Sequence, residues 1–136
     1  MKLPGIVALI VSGCSGDDAR LEQRIVDKEL PKLEAALASR SESGVMTACT
    51  MLSGAHMASD DAARYERHCW VDVPRLHFEI ALADVKKHQR EHPDMMSINC
   101  AQLFIPSALE TLATHPASDP ALVKLVADYK ALCPTP

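Results

Sequence analysis

Apolar residues recur along the chain three or four positions apart, and no stretch alternates as a strand would or meets an Asn-Gly hairpin turn. The pattern predicts an all-α fold, a compact bundle of about six helices. Asp17 and Asp18 cap a first helix carrying Leu21, Ile25 and Val26, which Pro31 ends or kinks before Leu33 and Leu37 continue the stripe. A second helix covers residues 42–57, with Val45, Cys49 and Leu52 on one side. Ser59-Asp60 caps a short third, closing at Cys69-Trp70. Asp72, with Pro74 in the first turn, opens a fourth that ends before Pro93. Its two stripes, Leu76/Ile80/Ala83 and Phe78/Leu82/Val85, make it apolar nearly all round, which marks a central helix. A fifth starts at Asp94 with Met95, Ile98, Ala101 and Ile105, is interrupted by Pro106 and resumes through Leu109 and Leu112. Ser118-Asp119-Pro120 caps a sixth, whose Leu122, Leu125, Val126, Tyr129 and Leu132 form one face.

The order of features repeats. Leu30-Pro31-Lys32-Leu33 aligns with Val73-Pro74-Arg75-Leu76; each half then has a cysteine (Cys49, Cys100), a Ser-Asp pair and a closing Tyr-x-x-x-Cys, Tyr65 to Cys69 and Tyr129 to Cys133. Two duplicated three-helix units account for this, as does chance matching on Ala- and Leu-rich helices.

The first residues set an address. Met1-Lys2 is a short basic start, residues 3–11 are mainly apolar and too few to span a bilayer, and Val11-Ser12-Gly13-Cys14 follows. This resembles the lipobox of bacterial lipoproteins, in which Leu, then Ala or Ser, then Gly or Ala precede the cysteine that receives the lipid. Val11 and the Pro4-Gly5 pair depart from that pattern. The resemblance implies a signal peptide over 1–13, a lipidated Cys14 with a short polar tether over 14–18, and a folded domain over 19–136. It also implies a diacylglyceryl thioether, usually with an N-acyl chain of the palmitate kind, and several chains anchor stably where one does not. Ser15 is not the Asp that signals inner-membrane retention, so the implied address is the outer membrane, facing the periplasm.

With Cys14 set aside, four of the five cysteines remain, an even set in a chain that leaves the reducing cytosol, so two disulfides are expected. Four cysteines permit three pairings; the repeated order singles out Cys49 with Cys69 and Cys100 with Cys133, one bridge per unit. A redox C-x-x-C is absent.

Apolar residues make up 48% of the 136 but aromatics only 4%, which favours an aliphatic helical core, and the net charge of −4 in mixed-sign patterns attracts no nucleic acid. Candidate chemistry is sparse. His88 and His92 are one helical turn apart, with Asp84 a turn earlier, a spacing that could chelate a divalent metal; His77 lies on a similar line. A solvated helix end, where His also suits the negative end of the dipole, is the commoner explanation of such residues. Ser107 and Ser118 read as helix-start residues, no G-x-S-x-G elbow lies in the domain, and four of the five glycines precede residue 45, which leaves no phosphate loop. Met46, Met51 and Met57 suit either a docking face or gap-filling. The expectation is a non-enzymatic, cofactor-free, lipid-anchored adaptor that binds a protein partner; a periplasmic metal binder using Asp84, His88 and His92 is the alternative. Small disulfide-stapled helical lipoproteins of this size resemble, in architecture alone, the pilotins that escort secretion-channel subunits.

Overall fold

Pro4 falls in the first turn, where its missing N–H would have no helical partner anyway, residues 5–30 hold no proline, and glycines at 5, 13 and 16 weaken a helix by about 1 kcal/mol each without breaking it. In the computed structural model, which describes the backbone of residues 3–134 and the side chains of 17–134 other than Met96, α1 accordingly spans Leu3–Ala38 in one piece. Asp17 and Asp18 therefore lie inside α1 and do not cap it, and the helix continues through the stretch expected as a tether. It also passes Pro31, held by Leu30 and Leu33, which flank the proline and are both buried. The side chains of Cys14 and of the lipobox lie outside the described residues.

Beyond α1 come α2 (Glu42–Leu52), α3 (Ser59–Arg67), α4 (Val73–Glu91), the single turn α5 (Met96–Asn99), α6 (Ile105–Thr114) and α7 (Pro120–Leu132). The six helices longer than α5 make an all-α fold with no strand among the described residues, and no described helix is long and apolar enough to cross a membrane.

The α1–α2 corner shows why the sequence turns there. Arg40 takes a left-handed φ of 56°, and Ser41 N–H reaches back to Ala36 O at 2.9 Å, which satisfies the last carbonyls of α1. Ser41 then caps α2, its Oγ accepting from Gly44 N–H at 3.1 Å. A Cβ on Gly44 would fall 2.8 Å from that Oγ and 3.0 Å from Ala36 Cβ, so a side chain here would push the capping hydroxyl and α1 aside. Gly44→Ala should destabilise by about 1–3 kcal/mol despite alanine's higher helix propensity. An unchanged or higher urea midpoint would contradict that close approach.

Three expected boundaries move, each for a local reason. α2 stops at Leu52 and not near Met57, because Gly54 turns the chain at φ 83°. Ser59 is the first residue of α3, and no side chain caps it. The expected break before Asp72 is absent: a π turn over His68–Asp72 joins α3 to α4, with Val73 N–H bonded to His68 O. That widened turn makes room for the ring of Pro74, which would otherwise press on the carbonyl four residues back. Asp72 therefore caps nothing. The fifth helix is also divided: a 3-10 turn over Pro93–Met95 and α5 end at Asn99, and α6 starts afresh at Ile105 with Pro106 in its first turn. The start of α7 matches the expectation, with Asp119 as N-cap.

The buried residues form two cores with α4 running through both. Val26, Leu30, Leu33, Val45, Ala48, Leu52, Cys69, Val73 and Leu76 make the first; Phe78, Ala81, Leu82, Val85, Ile105, Ala108, Leu122, Tyr129 and Cys133 make the second. Each holds one disulfide, Cys49–Cys69 with Cα atoms 5.9 Å apart and Cys100–Cys133 with Cα atoms 5.6 Å apart, the pairing that the repeated order of features singled out. The aligned segments at 30–33 and 73–76 both feed the first core, so that local match does not relate one core to the other. His77, 1% exposed, sits where the cores meet, its Nδ1 2.7 Å from Glu42 Oε2 and its ring stacked on Phe104.

Candidate functional site

Two cavities of about 510 Å³ each open on either side of α6. The first is a cleft between α2, the π turn and α6. The π turn delivers Cys69 to Cys49 and places Trp70 beside it; Trp70 stacks on His115, at the end of α6, with ring centroids 3.6 Å apart, and Tyr65 meets it edge-on at 6.2 Å. Met46 and Val73 line the floor, and Thr50, Ser107, Glu110, Thr111 and Thr114 line the walls.

The second cavity is an apolar shelf beside the Cys100–Cys133 bridge, lined among others by Ala101, Ile105, Pro106, Leu109, Leu132 and Pro134. Residues 100–104, which supply its edge, are held out of helix by cross-links. Tyr129 Oη donates to Cys100 O at 3.1 Å, and the Gln102 amide donates to Asp84 Oδ2 and to Asn99 O, each at 2.9 Å. The price of that conformation is exposed apolar surface: Leu103 is 82% and Ile98 63% exposed, with Met95 close by in sequence and also exposed. Burial in the second core raises the Tyr129 phenol above its ordinary pKa.

A chain of ion pairs ties the two halves together. His68 lies between two carboxylates, Nδ1 2.8 Å from Asp72 Oδ2 and Nε2 3.1 Å from Glu34 Oε2, and Arg64 also pairs with Glu34. Arg67 bridges Asp72 and Asp119, and Arg75 donates to Asp119 at 2.7 Å. His68 thus links α1 to the π turn.

Asp119 is held below the ordinary carboxyl value, first by the N–H of Leu122, then against partial burial by the N–H of Ala121 and the charges of Arg75 and Arg67. Burial alone would raise Glu34, but hydrogen bonds and charge from His68 and Arg64 outweigh it and lower its pKa. A carboxyl with a lowered folded pKa contributes stability that is full above its unfolded value, 3.8 for Asp119, and is lost as pH falls through the folded value. The thermal midpoint should therefore fall as pH drops below about 4, and Asp119→Asn should flatten that acid limb. An equally steep limb in Asp119→Asn would remove Asp119 from the account.

The proposed metal ligands do not converge. Asp84 Oδ1 and His88 Nδ1 are 3.3 Å apart, but Asp84 is also engaged by Gln102. His92 is the C-cap of α4: its N–H still bonds His88 O at 2.6 Å, but its φ of −139° and ψ of 70° lie outside the helix. Among the described residues no three His, Cys, Asp or Glu side chains are grouped to hold a metal. His77, on the same line in sequence, is buried against Glu42 and Phe104.

The sequence marked Tyr65 and Trp70 only as the close of a helix and did not point to His115 or Glu110. One signal was available: the only tryptophan of the chain directly follows a bridging cysteine and stands four residues before a proline. Of the methionines, Met46 lines the cleft, Met57 packs on the first core and Met51 is exposed.

No family model, curated protein or solved structure matches this chain.

Proposed function

We propose that the chain is an envelope lipoprotein, anchored through Cys14 at the periplasmic face of the outer membrane, whose helical domain docks an amphipathic helix of a partner protein. The observation that carries this reading is the apolar shelf beside Cys100–Cys133, together with the exposed Ile98 and Leu103, which stand next in sequence to residues that line it. Monomeric domains seldom leave a continuous apolar surface uncovered unless something binds there, and a groove between helices is the usual seat for the apolar face of another helix. A lipid anchor needs no activity of its own from the domain, only a surface turned towards the partner.

A photoreactive residue placed at Leu103 tests the reading in the native envelope. It should crosslink to one discrete partner, and the same probe at exposed Lys87 on α4 should not. Equal crosslinking from both positions, or none from Leu103, overturns the docking surface. Leu103→Ser should weaken partner capture while leaving the melting temperature unchanged, because so exposed a side chain adds little to the fold.

A further inference from the structure

The cleft on the other side of α6 has a chemistry of its own, independent of whether the shelf docks a helix. Of the six hydroxyls that line it, four have their protons committed within the protein, all but those of Ser53 and Tyr65. Thr50 donates to Met46 O at 2.8 Å, Thr111 to Ser107 O at 3.1 Å and Thr114 to Glu110 O at 3.2 Å, while Ser107 points its proton at the sulfur of Met46. What these groups can still offer an occupant is lone pairs, so the walls present acceptors. No Lys or Arg lines the cleft, and its one carboxylate, Glu110, forms no ion pair among the described residues. The aromatic rings of Tyr65 and Trp70 line the same space.

A cavity rich in acceptors, with one free negative charge and aromatic rings, complements a group that is cationic, planar and made only of donors. Guanidinium is that group: it carries five N–H donors and no acceptor, pairs with carboxylate and stacks on aromatic faces. An ammonium has the charge without the plane, and a neutral amide has no charge to pair with Glu110. We infer that this cleft is a binding site for an arginine side chain presented by another polypeptide, with Glu110 as the counter-charge and Tyr65 and Trp70 as the aromatic contact.

Trp70 is the chain's only tryptophan, so its fluorescence reports on the cleft directly. The test titrates the full-length chain, in detergent at pH 8, with acetyl-Ala-Arg-Ala-amide and with the same tripeptide carrying citrulline, which keeps the shape and removes the charge. The arginine peptide should give a saturable change and bind about tenfold more tightly than the citrulline peptide, the combined scale of an exposed ion pair and a cation–π contact. In Glu110→Gln, shown to be folded by circular dichroism, that preference should shrink to about twofold or less, leaving the aromatic contribution. Equal binding of the two peptides, no saturable change below about 10 mM, or an undiminished preference in Glu110→Gln would each overturn the assignment. Free arginine binding as tightly as the tripeptide would overturn its assignment to a polypeptide.

Discussion

Replacing Cys49 and Cys69 together by alanine should lower the stability of the domain by about 3 kcal/mol, and replacing Cys100 and Cys133 should lower it by slightly more. The order follows from the loops closed, 20 residues apart in sequence for the first pair and 33 for the second, because the longer loop removes more freedom from the unfolded chain. Small domains are stable by only about 5–15 kcal/mol, so one missing bridge leaves a marginal fold and two should leave none at 37 °C. The bridges belong to different cores, and their effects should therefore add to within about 0.5 kcal/mol. Urea denaturation of both double variants measures this. Hydrogen exchange adds where the loss falls: the first pair should loosen α2 and the π turn, the second the end of α7. A variant that loosens both cores equally would contradict the division.

Phe78→Ala should cost about 3–5 kcal/mol, the most of any single truncation in the second core. Phe78 is fully buried in the N-terminal third of α4 and meets Tyr129 edge-on, with ring centroids 5.5 Å apart. Tyr129 in turn holds Cys100 through its hydroxyl, so the cavity opens beside both the bridge and the edge of the shelf. The loss should therefore appear first in the protection of α7 and of residues 100–104. Equilibrium unfolding gives the magnitude, and a loss below about 1 kcal/mol would mean that the second core does not pack around this ring.

Much of this architecture could be read from residue order, and the reason is local. Asp119 before Pro120 is a helix start whatever surrounds it, and the two Tyr-x-x-x-Cys endings placed each second cysteine with its own partner. The errors came where one residue carries two meanings. Pro74 after Asp72 reads as a capped helix start, yet a continuous helix met the same proline by widening into a π turn. Pro106 reads as an interruption inside a helix, and instead begins one, since the bonds that hold 100–104 come from Asp84 and Tyr129, distant in sequence. The cleft was invisible for the same reason. Whether Thr111 offers a proton or a lone pair depends on its bond to Ser107, and whether Glu110 faces a cation depends on the walls that three separate helical segments bring together. His88 and His92 show the converse: a one-turn spacing suggests a site, yet His92 closes α4 and no third ligand joins the pair among the described residues.

The proposed lipid at Cys14 carries the largest consequence for this account, because an anchor there would decide which surfaces the domain can present and to whom. Mass spectrometry of the protein isolated from native membranes tests it most directly. The account predicts a mature chain beginning at Cys14, with its N-terminal peptide heavier than the bare sequence by a diacylglyceryl group and an N-linked acyl chain. A chain that keeps residues 1–13, or one that begins at Cys14 with a free thiol, would contradict it.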